Sequence, residues 1–161
     1  MFNFRPSRNC MRFFCVLSTA FFAMVFSCSA QTNLTEENAP ATRAETNLFF
    51  ALGMIESGND DRGIGKAGEV SRYQIHPAVW KLYSESRDYQ NHEVSLLVAR
   101  QHWTYLTNYF REKTGRTPTP FDMYVLWNTK FGHYAKLGFN PTRLNRVVQD
   151  RAERFVNLVN R

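Results

Sequence analysis

Residues 56–77 read ESGNDDRGIGKAGEVSRYQIHP, and the way this stretch leaves one helix and enters another decides how the chain is organised. Gly58 supplies a helix stop, and the run to Arg72, rich in glycine and charge, reads as a long surface loop. Pro77 suits the first turn of a short helix reaching about Ser86. Upstream, Leu48, Phe49, Leu52 and Ile55 recur three and four residues apart, so a helix from Ala44 carries one apolar stripe. On that helix Glu56 follows Leu52 by one turn and Phe49 by two, so it borders the stripe, and it falls in the last turn. Partial desolvation and the negative end of the helix dipole both disfavour the charged carboxylate and push its pKa upward. A carboxyl of that kind can hold a proton near neutrality and donate it to a leaving oxygen.

Beyond the loop the pattern stays helical. Asn91 or His92 opens a longer helix with Val94, Leu97, Val98, Trp103, Leu106 and Phe110 apolar, ending near Gly115. Thr119 can cap the next, with Pro120 in its first turn and Phe121, Tyr124, Val125 and Leu126 following. A last helix starts at Pro141 and carries Leu144, Val147, Val148, Phe155 and Leu158. Trp80, Trp103, Tyr105 and Tyr109 sit at helical spacings and read as core. No strand-like alternation and no internal repeat stands out, so the fold class is mainly α.

The amino-terminal residues have a different grammar. Arg5, Arg8 and Arg12 precede a run from Phe13 to Phe26 that is almost wholly apolar, and small residues follow at Ser27, Cys28, Ser29 and Ala30. Residues 1–30 read as a secretory signal peptide, because the apolar run is shorter than the ~20 residues a comfortable span needs. Its processing is open between cleavage after Ala30 and lipidation of Cys28 in the loose lipobox Val25-Phe26-Ser27-Cys28, with an uncleaved anchor as the rival. The protein is then exported to the periplasm or beyond, and meets the membrane only through this segment or a lipid on Cys28. Residues 31–43, polar and aperiodic, read as a flexible tether, and residues 44–161 as one domain. All three cysteines, Cys10, Cys15 and Cys28, lie in the leader, so the domain has no disulfide to lean on.

The net charge of +6 falls to +3 once the three leader arginines are set aside, leaving 17 basic against 14 acidic residues. That mild, scattered excess suits an anionic polymer such as cell wall and argues against nucleic acid. Arg143, Arg146, Arg151 and Arg154 interleave with Asp150 and Glu153 as on a solvated helix face. Other chemistries lack their residues. His92-Glu93 begins a zinc-protease motif, but Leu96 stands where the second histidine belongs. No serine has a G-x-S-x-G context. No metal or cofactor is implied.

The stretch quoted first resembles the soluble lytic transglycosylases of the lysozyme-like superfamily. That family shows E-S-G and, after a loop, G-A-x-G-L-M-Q-I-x-P. Glu56, Ser57, Gly58, Gly68, Gln74, Ile75 and Pro77 match at the same spacing without a gap. Glu69 replaces the family's alanine, and Ser71-Arg72-Tyr73 its G-L-M. The later A-Y-N-x-G motif has a partial counterpart in Leu126-Trp127-Asn128, lacking the glycine unless Gly132 stands in. The resemblance covers roughly residues 44–135. It implies a single lysozyme-like helical domain, a monomer acting on peptidoglycan glycan strands. Glu56 would be the acid/base, Ser57 would orient its carboxyl or a sugar acetamido group, and Gln74 and Asn128 would meet substrate. Tyr73 and Trp127 would line the cleft, where flat rings suit sugar faces.

The resemblance also implies why one carboxyl suffices. Ordinary glycosidases use two, whereas muramic acid carries its own nucleophile, the C6 hydroxyl, and closes a 1,6-anhydro ring. Two rivals share the site. In a goose-type-like lysozyme, Asp60 or Asp61 would hold a water and the bond would be hydrolysed. In a non-catalytic wall-binding module, the fold would remain without the reaction.

Overall fold

The computed structural model describes residues 42–161, and within them the architecture is mainly α, with only an isolated antiparallel bridge between Val70 and Ile75. The segments expected to be a signal peptide, a lipobox at Cys28 and a tether lie, up to residue 41, outside the described residues. Among those described, no helix is long and apolar enough to cross a membrane.

The elements are α1 (Arg43–Ser57), α2 (Pro77–Trp80), α3 (His92–Thr114), α4 (Pro120–Asn128), α5 (His133–Lys136), a 3-10 turn (Pro141–Arg143) and α6 (Arg146–Val159). Local chemistry sets most boundaries. The side chains of Thr42, Asn91 and Asn145 accept the exposed backbone N–H groups at the starts of α1, α3 and α6. Gly58 and Gly115 end α1 and α3 in the left-handed conformation, φ 73° and 67°. At α4, Thr119 and Asp122 form a reciprocal capping box.

Burial decides which helix is central. In α4, Asp122 to Leu126 are five consecutive buried residues, and a helix apolar on every side is one surrounded by protein. It packs against α6 on one side and α3 on another, and α6 also packs against α1. The shared core contains Phe49, Leu52, Trp80, Leu106, Phe110, Tyr124 and Phe155. Among the described residues, Asp122, 4% exposed, is the charged residue buried beside this core. Its carboxylate accepts from the backbone and hydroxyl of Thr119 (3.0 and 2.7 Å) and from the Tyr134 hydroxyl (2.8 Å), which offsets its desolvation.

Several expectations need correcting. The helix from Pro77 ends at Trp80, not Ser86. Ser84 and Ser86 each accept the N–H two residues on (3.2 and 3.1 Å), turns that compete with the helix, and the Trp80 indole donates to the Ser86 carbonyl at 2.8 Å. Pro141 opens only a 3-10 turn; the last helix begins after the Asn145 cap. The short α5 had no periodicity to betray it. Arg43, placed in the tether, is the first residue of α1. Tyr105, read as core, is 47% exposed.

Candidate active site

Glu56 sits in the last turn of α1, as its sequence position predicts, and its side chain is only 8% exposed. The carboxyl opens into a cleft of about 740 Å³ whose walls include Gln74, His102, Trp127, Asn128 and Arg151. Three groups from other helices converge on it. The Tyr124 hydroxyl donates to Oε1 at 2.7 Å. Arg151 lies 3.6 Å from Oε2 and donates to the Ile55 carbonyl at 3.3 Å, so it serves both the carboxylate and the carbonyl end of α1. The Asn128 amide, at the end of α4, also favours the ionised form.

Burial raises the Glu56 pKa above its ordinary 4.5 and outweighs the lowering by Tyr124, Arg151 and Asn128; the charge of Glu69 adds to the rise. The result is a carboxyl poised to hold and release a proton inside a solvent-open groove. Tyr124 shares the burial and sits against a carboxylate, so its own hydroxyl stays protonated far beyond the usual tyrosine range.

Gln74 reaches the cleft from the loop. Its backbone is left-handed (φ 51°), as is that of Ser71 (φ 64°). The pair of bonds between Val70 and Ile75, 2.9 and 3.0 Å, closes the turn that holds both. The Gln74 amide nitrogen donates to the carbonyls of Gly63 (3.2 Å) and Ser71 (3.0 Å), which fixes its flip and leaves the amide oxygen for the cleft. That oxygen and Glu69 Oε2 crowd the bare face of Gly65, 2.5 and 2.2 Å from where a β-carbon would stand. Glu69 therefore brings a second carboxylate to the cleft wall.

Trp127 and Asn128 both line the cleft. Two other assignments change. Ser57 does not orient the Glu56 carboxyl: its hydroxyl donates to the Arg72 carbonyl (2.9 Å) and accepts from the Asp60 N–H (3.0 Å), tying the loop to α1. Tyr73 does not line the cleft. It is 2% exposed, meets Phe49 edge-on at 6.0 Å, and offers its carbonyl to the Trp127 indole at 3.2 Å. It positions the tryptophan from behind.

Asp60 and Asp61, the residues expected to hold a hydrolytic water, are absent from the cleft walls. Asp60 accepts the Arg62 N–H at 2.9 Å. Asp61 is bound through both oxygens by Arg72, which holds its pKa below the usual aspartate value. Sequence reasoning missed Tyr124, Arg151 and Glu69. The interleaved charges of α6 hid Arg151, and Tyr124 looked like any apolar helix residue. Glu69 was visible only as a departure from the family pattern. Among the described residues no group of three His, Cys, Asp or Glu side chains could hold a metal ion. No family model, no curated protein and no solved structure matches the chain.

Proposed function

We propose that this is a lysozyme-like domain that cuts the glycosidic bond between MurNAc and GlcNAc in exported cell-wall chemistry, as a lytic transglycosylase. The observation that carries the reading is the Glu56 carboxyl, nearly buried, its pKa raised, yet opening into a groove large enough for a sugar polymer. The sequence match around it supplies the substrate class. Protonated Glu56 donates to the glycosidic oxygen as the bond from C1 breaks, releasing the GlcNAc 4-hydroxyl. The carboxylate so formed takes the proton of the muramic C6 hydroxyl, whose oxygen closes on C1. The proton returns to Glu56 and a 1,6-anhydro end results. A tethered nucleophile makes the second step intramolecular.

Tyr124, Asn128 and Arg151 fit both half-reactions. They keep the desolvated carboxylate tolerable after the first proton leaves, while burial still holds its pKa above the ordinary value. Cations at Lys66, Lys130 and Arg151 on the cleft walls suit a substrate bearing carboxylates.

One observation favours a second reading. Glu69 Oε2 and the Gln74 amide oxygen are both acceptors, and they converge on Gly65 in the cleft. A water donating one proton to each would stand ready to attack C1, giving hydrolysis with Glu69 in the role once expected of Asp60 or Asp61. Mass spectrometry of digested sacculi separates the two, because an anhydro end is one water lighter than a reducing end. Anhydro products support cyclisation, and reducing ends alone replace it with hydrolysis. Binding without cutting leaves a wall-binding module and removes Glu56 from catalysis.

A further inference from the structure

Aromatic rings continue out of the cleft along its rim. Trp127 and His102 line the cleft with centroids 5.1 Å apart. Tyr105 follows, nearly parallel to His102 at 6.2 Å, then Phe131 at 5.8 Å from Tyr105, then Tyr109 at 4.8 Å from Phe131. His102, Tyr105 and Tyr109 lie three and four residues apart on α3, so they share one face and span about 10 Å of helix axis. Phe131 and Trp127 come from the other wall, through the segment that also brings Asn128 and Lys130 to the cleft. Tyr105 is 47% and Phe131 60% exposed, too much for core residues.

Resting on the glycan-cleaving reading above, we propose that this row of rings is an extended binding track that grips the glycan strand beyond the bond being cut. Three features select a sugar polymer as the occupant. The row is continuous with the cleft, so a chain threaded past Glu56 is led onto it. Its rings follow one another at 4.8 to 6.2 Å, a file that fits a linear strand better than the roughly 800 Å² per partner of a stable protein interface. Its rings are interleaved with hydroxyls of Tyr105 and Tyr109 and an ammonium at Lys113, 6.0 Å from the Tyr109 ring, as a ligand with apolar faces and polar edges requires. Burial pushes the His102 pKa down to about 4, so the imidazole linking cleft and track is uncharged.

The test compares two substrates, purified glycan strands many disaccharides long and a tetrasaccharide that ends within the cleft. For the double variant Tyr105→Ala/Phe131→Ala, kcat/KM on long strands should drop about tenfold more than on the tetrasaccharide, through KM. Cosedimentation with intact sacculi should weaken by a similar factor. Phe50→Ala, at a residue 59% exposed and outside the cleft, controls for loss of surface apolarity and should keep the wild-type ratio of the two substrates. A double variant that folds, melts like wild type and retains the wild-type ratio overturns the track while leaving the glycan-cleaving reading standing. A wild-type protein that neither binds nor cuts either substrate overturns both.

Discussion

Replacing Glu56 by glutamine isolates the proton. Glutamine keeps the size of the side chain, and its amide oxygen can still accept from the Tyr124 hydroxyl, now at 2.7 Å from Oε1. What it cannot do is protonate a leaving oxygen. General acid–base catalysis contributes about a hundred- to ten-thousand-fold, and here one group serves both half-reactions, so clearing of purified wall should fall by about ten-thousand-fold or more. The effect on stability has the opposite sign. The folded pKa of Glu56 lies above the ordinary 4.5, so folding favours the protonated group. Its stabilising contribution is complete below 4.5 and is lost as pH rises through the folded value. At neutral pH the ionised carboxylate is thus a net cost, only partly offset by Arg151 at 3.6 Å. The variant should melt at or above the wild-type temperature at pH 7, and the difference should close as pH falls toward 4.5. A turbidity assay paired with melts across pH checks both. A well-folded variant that clears wall at more than about a tenth of the wild-type rate refutes the assignment.

Tyr124→Phe removes a bond that lowers the Glu56 pKa, so the alkaline limb of the kcat/KM profile should move to higher pH, with activity reduced about tenfold. Gly65→Ala places a methyl within 2.5 Å of both the Glu69 and Gln74 oxygens and should cut activity at least about tenfold by displacing them, with loss of glycan affinity as the readout. Glu69→Gln should leave anhydro ends in the product spectrum; if hydrolysis operates instead, total turnover collapses. Asp122→Ala strands the Tyr134 hydroxyl and breaks the capping box of α4, which should cost about 3 kcal/mol and lower the melting temperature by roughly 10 °C in calorimetry.

Legibility in the sequence followed the range of the interactions. Helices α1, α3 and α4 were readable because their caps and stops are local: Gly58, Asn91, Gly115 and the Thr119-Pro120 pair act within a few residues. Pro141 misled because a proline that suits a helix start suits a 3-10 turn equally, and Asn145, four residues on, makes the stronger cap. Glu56 and Gln74 were placed at the cleft by motif spacing, and the stretch between them was legible as a loop, but the bonds inside it were not. Ser57 and Tyr73 bind backbone carbonyls or rings from distant residues, and only the folded chain shows that neither lines the cleft. Tyr105 failed for a related reason. Helical spacing places it on the α3 face that carries His102 and Tyr109, yet the ring that meets it from across, Phe131, is itself 60% exposed.

The acidity of Glu56 belongs to packing more than to α1. Its helix supplies a position at the edge of an apolar stripe, which alone describes countless solvated glutamates. Burial raises its pKa, and the groups that restrain the rise come from two other helices, Tyr124 and Asn128 of α4 and Arg151 of α6, the latter packed along α1. Tyr124 is itself held by stacking on Phe155, centroids 5.2 Å apart and planes 28° from parallel, and Phe155 in turn meets Trp103 of α3 at 6.1 Å. The hydroxyl that touches the carboxyl is therefore fixed by rings that never reach the cleft. A buried acid needs such rigidity, because a donor free to swing away would leave an unpartnered carboxylate whose desolvation is paid in full. This explains why the most thoroughly buried helix among the described residues ends at the site: its apolar length anchors Tyr124, and its last residue, Asn128, faces the acid.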